Sequence, residues 1–461
     1  MTSPPFDKVL IANRGEIAVR VARTLRALGV RTVAVHSEAD REARHVRAAD
    51  ETHLLGPAPP SESYLDIDRI LDVAARSGAA AIHPGYGFLS ENADFARRVT
   101  DAGLAWIGPP AAAIAAMGSK TRAREIMRRA GVPIVPGDTD PSADIETALA
   151  TADRLGYPVA CKAVGGGGGK GFKVAMAPAE LADAFDGAAR EGEKLFGDGR
   201  VYIERYLEDP RHVEVQVLAD DHGNVIHLGE RDCTIQRRHQ KLVEEAPAPL
   251  VDGEMRERIA RIAVDAARAV GYRGAGTIEG LQVGSEYFFL EMNTRLQVEH
   301  CVTEMVTGID LVREQVRIAA GEPLSIAQED VELHGHAIEC RINAEAAHRG
   351  FVPAPGTITG YREPRGASVR VDSGVDQGAE ITPFYDSLVA KLVCWGADRD
   401  EATARMLDAL AAYEIDGIET LIPFHAALLQ TPHWARAETC RDLISDRAWL
   451  RSTAPADERR A

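Results

Sequence analysis

Five polar residues that alternate with apolar ones form the segment of this sequence that is richest in chemistry. They are Glu291, Asn293, Arg295, Gln297 and Glu299. In an extended strand successive side chains point to opposite faces, so these five would share one face. That face would offer oxygen ligands to a metal, a guanidinium to an anion and a carboxylate that can accept a proton. An ordinary half-buried strand also alternates, but it does not require this order of groups.

A further carboxylate, Glu279, precedes this segment. The turn residues Gly284-Ser285-Glu286 predict a hairpin that joins strands over 278–283 and 287–292. Pairing of these strands would bring Glu279 and Glu291 side by side. Carboxylates suit Mg²⁺, which usually takes one or two of them and fills its other positions with water and substrate phosphates. The pair therefore predicts a site for a nucleotide-bound metal.

A run of glycines at 165–169 lies between Lys162 and Lys170. The backbone N–H groups of such a run can approach an anion closely. The dinucleotide-binding fingerprint fits the letters, but it needs a helix where this sequence has a short β-like run. The P-loop also fails, because Val164 stands at its first glycine and Gly171 at its Ser or Thr. The pattern favours a glycine-rich flap between two strands that closes over phosphates.

Lysine is rare here, since only 8 of the 53 basic residues are lysine and the others are arginine. A lysine kept amid this bias indicates a position that needs a compact ammonium, as for Lys120, Lys162, Lys170 and Lys241.

Lys241 ends a second dense segment, residues 230–241, which is rich in arginine. The formal net charge of -17 and the 5% aromatic content argue against a nucleic-acid footprint. A local positive cluster in an acidic protein instead focuses small anions into a cleft. Just upstream, residues 212–217 alternate and predict a strand.

Long ordered motifs resemble the biotin carboxylases of the ATP-grasp superfamily, of the stand-alone type found in acetyl-CoA carboxylase and related acyl-CoA carboxylases. The resemblance covers nearly the whole chain, and its motifs are Ile11-Ala12-Asn13-Arg14-Gly15-Glu16-Ile17, His83-Pro84-Gly85-Tyr86-Gly87-Phe88-Leu89-Ser90-Glu91-Asn92 and Phe384-Tyr385-Asp386-Ser387. It implies ATP- and bicarbonate-dependent carboxylation of biotin on a separate carrier protein, by way of carboxyphosphate. This would be the first half-reaction of an acyl-CoA carboxylase.

The resemblance also implies a set of nucleotide-binding residues around the flap and the strands beneath it. By similarity, ATP would be held by Lys120, Lys162, Gly168, Gly169, Glu204, Arg205, Tyr206, Leu207, His212, Gln236, His239, Glu279 and Leu281. Glu279 and Glu291 would bind Mg²⁺ or Mn²⁺, with Asn293 on a second metal ion.

The remaining site residues follow from the same similarity. Those of the bicarbonate pocket would be Lys241, Arg295, Gln297 and Val298. Glu299 resembles the base that deprotonates bicarbonate, and Arg341 resembles the residue that stabilises the enolate of biotin. Tyr86 lies where the biotin ring docks. The predicted catalytic set is Arg295, Glu299, Lys241 and Arg341.

Two positions depart from the family pattern. Gly280 follows Glu279 where a bulky aromatic is common, which predicts looser packing beneath the metal site. Cys301 stands where proline is usual, which predicts a more mobile chain after Glu299. Neither departure removes a catalytic group.

Strand-like runs at 8–12, 31–36, 79–83 and 105–107 alternate with helical patterns at 16–28 and 66–77. They predict an α/β protein (α+β overall) with a parallel N-terminal domain over 1–115. An ATP-grasp domain is expected over 116–323, with a mobile glycine-rich lid at about 134–207. A β-rich C-terminal domain would cover 324–451, with a β-rich part at 334–396, a helix at 400–413 and a disordered tail at 452–461.

Composition indicates a cytoplasmic enzyme. Six cysteines without a C-x-x-C pair indicate free thiols in a reducing compartment. No secretory signal and no membrane span is expected. His334 and His336 are interpreted as ordinary histidines, because no third metal ligand stands nearby.

Several partners are implied. No Met-Lys-Met biotin-attachment sequence occurs, so a biotin carboxyl carrier protein is expected, along with carboxyltransferase subunits and a homodimer. Two other classes remain open. A different ATP-grasp ligase would share Lys162, Glu279 and Glu291, but not residues 236–241 or Arg341. A non-catalytic regulatory subunit would have lost Glu299, Arg295 or Lys241.

Overall fold

The N-terminal part of the chain forms a five-stranded parallel sheet in the order β3-β2-β1-β4-β5. The computed structural model describes residues 4–138, 140–142, 144–167 and 170–454. The predicted strands and helices of this part are confirmed, whereas β3 was missed because it is a half-exposed edge strand with a mixed polar and apolar sequence. The elements are β1 (Lys8–Ile11), α1 (Gly15–Ala27), β2 (Arg31–Ser37), α2 (Arg44–Ala48), β3 (Glu51–Gly56), α3 (Ile67–Ser77), β4 (Ala81–His83), α4 (Ala93–Asp101) and β5 (Ala105–Trp106).

Local sequence sets the ends of these helices. Asp66 accepts a hydrogen bond from the backbone N–H of Arg69 and so caps the start of α3. Gly78 ends the same helix with a φ of 66°, a left-handed conformation that glycine adopts without strain. In α1, Ile17, Val21 and Leu25 recur every four residues and are buried against the sheet.

A small three-stranded antiparallel sheet, in the order β7-β6-β8, lies within the segment at about 134–207 that was predicted to be a mobile lid, and this part is hereafter named the lid. The glycine-rich flap is confirmed as the connection between two antiparallel strands, and its tip, Gly168 and Gly169, lies outside the described residues. The lid has its own hydrophobic core, which includes Ala148, Leu181 and Ile203. The elements from the linker onward are α5 (Ala111–Gly118), α6 (Lys120–Arg129), α7 (Ile145–Leu155), β6 (Val159–Gly167), β7 (Lys170–Ala175), α8 (Leu181–Phe196) and β8 (Val201–Arg205).

An eight-stranded antiparallel sheet joins the central and C-terminal parts, in the order β13-β12-β9-β10-β11-β14-β21-β19. The predicted boundary at residue 323 lies between α11 and β14, yet the sheet continues across it because β11 pairs with β14. The central elements are β9 (Arg211–Ala219), β10 (Val225–Arg237), β11 (Gln240–Ala246), α9 (Gly253–Ala269), β12 (Gly274–Val283), β13 (Glu286–Asn293), α10 (His300–Thr307) and α11 (Leu311–Ala319).

The C-terminal part is β-rich up to residue 396 and helical afterwards, as predicted. The predicted tail begins too early, because α16 continues to Ser452 and Thr453 and Ala454 are buried. Residues 455–461 lie outside the described part of the chain. The elements are β14 (His336–Asn343), β15 (Glu345–Ala346), β16 (Val352–Pro353), β17 (Gly356–Thr357), β18 (Gly360–Arg362), β19 (Val369–Ser373), β20 (Glu380–Ile381), β21 (Leu388–Gly396), α12 (Arg399–Ala412), β22 (Glu414–Asp416), α13 (Ile422–Leu429), α14 (Pro432–Ala435), α15 (Arg441–Ser445) and α16 (Arg447–Ser452).

All six cysteines are buried free thiols, as predicted. His336 is also buried and lies 2.8 Å from the Glu245 carboxylate, which gives it a structural partner. Among the helices of the described residues, none combines the length and the apolar character that crossing a membrane requires.

Candidate active site

A cleft of about 1360 Å³ lies between the lid and the eight-stranded sheet. The lid contributes β6 and β8, and the large sheet contributes strands from β9 to β14. The predicted site residues that line the cleft are Lys162, Glu204, Arg205, Tyr206, Leu207, His212, Gln236, His239, Lys241, Glu279, Leu281, Glu291, Asn293, Arg295, Gln297, Val298, Glu299 and Arg341.

Four predicted residues stand apart from this set. Tyr86 is not part of the cleft wall, and its hydroxyl donates to the carboxylate of Glu16. Lys120 is the first residue of α6, and its side chain lies outside the described part of the chain. Gly168 and Gly169 also lie outside the described residues.

The predicted carboxylate pair is confirmed by the strand register. Glu279 on β12 stands directly opposite Glu291 on β13. Asn293 ends β13, and its amide N–H donates to Glu279 Oε1 at 2.8 Å. Hard oxygen donors on neighbouring strands at the cleft wall fit the chemistry of Mg²⁺. A two-residue connection at Gly284 and Ser285 joins the strands, and Gly284 has the positive φ that such a turn requires.

The segment 291–299 is not a single strand, so this prediction was wrong. β13 ends at Asn293, and the chain then turns toward α10. β13 is the edge of the sheet, and the next residue, Thr294, bonds through its backbone N–H to Glu91 Oε1 at 3.0 Å. The turn still directs Arg295, Gln297 and Glu299 into the cleft, because side-chain hydrogen bonds orient them where strand alternation does not.

Lys241 on β11 connects three carboxylates. Its ammonium donates to Glu214 at 2.5 Å, to Glu279 at 2.8 Å and to Glu299 at 2.5 Å. Burial lowers the pKa of Lys241, but the three carboxylates raise it well above its ordinary value. The ammonium is therefore charged at neutral pH and ties Glu299 to the predicted metal platform, which consists of Glu279, Glu291 and Asn293.

Glu299 is buried between two cations. Besides the bond to Lys241, its Oε2 accepts from Arg341 at 2.8 Å. Burial raises the pKa of Glu299, yet Lys241, Arg341 and the more distant Arg231 bring it down to about 2. Glu299 is thus ionised at neutral pH, the state in which a carboxylate accepts a proton.

Arg231 was missed as a functional residue. It is fully buried and donates to five side chains, namely Glu214, Gln216, Thr277, Gln297 and Thr303. Through its 2.8 Å bond to Gln297 it fixes a residue that also donates to Glu279 Oε1 at 2.6 Å. The dense basic segment 230–241 was the only sequence signal, and it did not distinguish Arg231 from its exposed neighbours.

Glu91 was also missed, although it belongs to one of the motifs that carry the resemblance. Arg295 donates from Nε to Glu91 Oε2 at 2.8 Å and from NH2 to Asn293 Oδ1 at 2.9 Å. The guanidinium thus spans the loop after β4 and the end of β13. These bonds hold a fixed positive charge beside the metal platform.

The nucleotide side of the cleft combines charged and apolar groups. Lys162 on β6 lies 3.3 Å from Glu204 on β8, and His212 lies 3.0 Å from Glu279. Burial lowers the pKa of His212, but Glu279 and Glu214 raise it to about 9, so its ring is charged. Leu207 packs with Leu281 and Phe288, and this cluster supplies an apolar wall.

The hairpin turn between β10 and β11 is strained at the edge of the cleft. Its two central residues, Arg238 and His239, have φ values of 50° and 66°. Two-residue hairpins of this kind require positive φ at both positions, which glycine and asparagine usually supply. The turn places both side chains on the cleft wall, where Gln236 also lies.

Lys391 is a third residue to which the sequence analysis gave no role. It is fully buried, donates to the carbonyl oxygen of Val298 at 2.9 Å and lies 3.2 Å from Glu16 Oε1. Because Glu16 also accepts from Tyr86, a chain of contacts joins the Tyr86 loop to the turn that carries Glu299. Lysine rarity was the signal that could have identified Lys391.

The two departures from the family pattern have structural accounts. The ring of Tyr287 occupies the space that a side chain at position 280 would fill, so the predicted looser packing beneath the metal site is wrong. Cys301 is fully buried near the start of α10, and its thiol donates to Asp372 at 3.3 Å. Its expected effect on mobility stays a prediction.

Paired carboxylates, clustered cations and a buried ionised carboxylate lie in the cleft between the lid and the large sheet. Together they define an ATP-dependent ligase of the ATP-grasp class.

Three family models match the chain. Residues 5–114 match the biotin carboxylase N-terminal domain, residues 119–327 the ATP-binding domain of the carbamoyl-phosphate synthase L chain, and residues 339–446 the biotin carboxylase C-terminal domain.

Relatives match over almost the whole chain. Biotin carboxylase 1 of Bacillus subtilis is 55% identical over 92% of this chain and 95% of its own. A pyruvate carboxylase subunit of Methanothermobacter thermautotrophicus is 53% identical over 94% of this chain and 88% of its own. The biotin carboxylase domain dimer of Hydrogenobacter thermophilus 2-oxoglutarate carboxylase, solved with MgADP, ADP and bicarbonate, superimposes with a TM-score of 0.88 at 48% identity, covering 96% of this chain and 99% of that chain.

The chain belongs to the biotin carboxylase family. The predicted ATP-grasp fold and the predicted enzyme class are thereby confirmed. ATP- and bicarbonate-dependent carboxylation of biotin, the first half-reaction of biotin-dependent carboxylases, is the reaction that these relatives support.

Proposed function

We propose that this protein carboxylates biotin on a separate carrier protein, with Glu299 as the base that activates bicarbonate. One observation carries the proposal: a single ammonium, that of Lys241, bonds both Glu299 and the metal-platform residue Glu279. This bond holds the base beside the place where a metal-bound phosphate would lie. Bicarbonate between Lys241 and Arg295 would lose its proton to Glu299 as its oxygen attacks the γ-phosphorus of ATP and ADP leaves.

The nucleotide would lie along the lid side of the cleft. Lys162, His212 and His239 offer positive or hydrogen-bonding groups to phosphates, and Leu207 and Leu281 offer an apolar wall to the base. Glu279, Glu291 and Asn293 would hold Mg²⁺, which when bound neutralises charge on the phosphates. Lys120, Gly168 and Gly169 complete the proposed set by resemblance to the family.

The second half of the reaction would occur beside Arg341. Carboxyphosphate would break the bond between its carboxyl carbon and the bridging oxygen, which gives CO₂ and phosphate, and the phosphate would remove the ureido proton of biotin. The ureido nitrogen then attacks CO₂, while the guanidinium of Arg341 offsets the negative charge on the ureido oxygen. Gln297 and the backbone of Val298 would help to hold bicarbonate, and Tyr86 would contact the biotin ring.

The partners are proposed from the relatives. The Methanothermobacter relative is by name one part of a multisubunit pyruvate carboxylase, and the Hydrogenobacter domain is a dimer. We therefore expect a biotin carrier, a carboxyltransferase and a homodimer here. Relatives are named for both pyruvate and 2-oxoglutarate carboxylases, so the predicted acyl-CoA acceptor is one of several that the same half-reaction could serve.

The test measures ATP turnover and the transfer of labelled carbon from bicarbonate to free biotin, in the presence of Mg²⁺, by the wild type and by Glu299→Gln. We expect biotin-dependent transfer that Glu299→Gln abolishes. Glu257→Gln, on the exposed face of α9, controls for the loss of a carboxylate and should leave transfer unchanged. ATP turnover that is indifferent to biotin would indicate another ATP-grasp ligase, and transfer that survives Glu299→Gln would remove Glu299 from the role of base.

A further inference from the structure

Two buried glutamates face each other behind the active site. Glu244 on β11 stands directly opposite Glu339 on β14, and neither side chain is exposed to solvent. Directly opposed residues of an antiparallel pair have Cβ atoms roughly 4.5–5.5 Å apart, on the same face of the sheet. Like charges in this arrangement repel, and burial removes the water that would screen them.

The hydrogen bonds of the pair are incomplete. Glu244 Oε1 accepts from Arg341 Nε at 2.5 Å, but Glu244 Oε2 has no hydrogen-bond partner among the described residues. Neither carboxylate oxygen of Glu339 has a hydrogen-bond partner among the described residues. A buried ionised carboxylate without a donor is strongly unfavourable, so the usual response is to hold a proton.

The surrounding charges do not supply the missing partners. The groups that act on the pair are Arg341 from β14, Lys391 from β21, Lys241 from β11 and Glu299 before α10. Arg341 already binds Glu299, Lys391 binds the Val298 carbonyl and Glu16, and Lys241 binds three other carboxylates. Arg341 thus has the carboxyls of Glu244, Glu299 and Glu339 around a single positive charge.

We propose that Glu244 and Glu339 share one proton at neutral pH, and that Glu339 thereby acts as a positioning residue for Arg341. A proton between the two carboxyls supplies the missing hydrogen bond and removes one negative charge. Arg341 then keeps the hydrogen bond from its Nε to Glu244, and its Nη2 remains available to Glu299 and the substrate. The catalytic part of this inference rests on the proposed function, whereas the shared proton does not.

The direction of the pKa shifts agrees with this geometry. Burial raises the pKa of Glu244 to about 7, against the lowering effect of Arg341. Burial likewise raises the pKa of Glu339 well above its ordinary value, against the effect of Lys391, and the charge of Glu244 raises it further. The shared proton should therefore leave only at alkaline pH, after which a second negative charge competes for Arg341.

The first test is infrared difference spectroscopy of the full-length wild type between neutral and alkaline pH. We expect the C=O stretching band of a protonated carboxylic acid at neutral pH, absent from Glu339→Gln. Glu245→Gln is the matched control, because the neighbouring Glu245 is buried but paired with His336 and Arg399, and the band should persist there. A wild type without the band overturns the proposal whether or not any variant folds.

The second test separates positioning from folding. Glu339→Leu should lower the turnover of biotin carboxylation, and Glu339→Gln, which keeps a permanent N–H donor, should restore it to within about threefold of wild type. The rate of Glu339→Gln should also fall less than that of the wild type as the pH rises above neutral. Equal pH profiles would overturn the positioning role. Loss of biotin carboxylation in every form, with the infrared band intact, would instead count against the proposed function.

Discussion

Charged side chains in this cleft are shared between several partners. Lys241 binds three carboxylates, Arg231 binds five side chains, and Arg341 bridges Glu244 and Glu299. Because these groups are mostly buried, each bond is stronger than it would be in water, and each unpaired charge is correspondingly unfavourable. A substitution at one member therefore disturbs the positions and protonation of the others.

Replacing the ammonium of Lys241 tests this sharing. We expect Lys241→Gln to lower kcat by about 10²–10³-fold, because it removes a fixed positive charge from the reacting anions. We also expect a lower Tm, since Glu214, Glu279 and Glu299 would lose their common partner. Steady-state carboxylation of biotin and a thermal melt provide the measurements.

Lys173→Gln is the control for Lys241→Gln, because Lys173 lies on the lid and is half exposed beside Glu191. It should change neither quantity appreciably. A Lys241→Gln protein with wild-type turnover would contradict a role for this ammonium in the reaction.

Residue types and their spacing predicted the residues that line the cleft better than they predicted the buried residues that hold them in place. Glu279, Glu291 and Glu299 were identified from spacing and chemistry, and the register brings the first two together. Arg231, Lys391 and Glu339 lie within strands, and neither the basic segment 230–241 nor the rarity of lysine assigned any of them a role. Their importance depends on partners from distant strands, which no local pattern contains.

At the scale of elements, the end of β13 shapes the site. The predicted alternation over 291–299 correctly grouped the polar residues but assigned the wrong backbone, because β13 is an edge strand whose continuation bonds to a loop. The N-terminal strands were predicted well because parallel strands between helices have a strong apolar pattern. The predicted loose packing at Gly280 was wrong, because the ring of Tyr287, across the hairpin, fills the space beside this glycine.

This packing gives a prediction for Gly280. Gly280→Ala would place a methyl group against the ring of buried Tyr287, so we expect a loss of about 1–3 kcal/mol in the free energy of unfolding. Denaturant titration measures the change. In the background of Tyr287→Ala, which empties the space, the same substitution should be nearly neutral or stabilising. Equal losses in both backgrounds would show that the ring is not the obstacle.

At the scale of the whole molecule, the N-terminal and C-terminal parts of the chain meet beneath the active site. Glu16 at the start of α1 lies 3.2 Å from Lys391 on β21, and Arg23 of the same helix lies 3.1 Å from Asp372 on β19. Lys391 also supports the turn that carries Glu299. Assembly of the N-terminal and C-terminal parts is therefore a condition for a correctly formed site.

Breaking this contact should affect stability and turnover together. Lys391→Met removes the donor to Val298 and leaves Glu16 without its cation, so we expect a loss of about 3–5 kcal/mol of stability and a lower kcat. Adding Glu16→Gln should recover part of the stability but not the kcat, because the Val298 carbonyl still lacks its donor. Urea unfolding and steady-state kinetics measure the two effects.

Lys194→Met, at an exposed position on α8, serves as the control for that experiment. If Lys391→Met were as mild as this control, the contact between the N-terminal and C-terminal parts would not support the site.

The buried guanidinium of Arg231 has a thermodynamic consequence for ligand binding. It donates to five buried side chains, and one of these bonds orients Gln297 on the cleft wall. Gln297 is thus immobilised during folding, and an incoming anion meets an amide that has already lost its rotational freedom. A flexible binding site loses side-chain entropy when its ligand binds. Here the entropy of the Gln297 side chain is lost during folding, and burial of the hydrophobic cores on either side of the sheet offsets that loss.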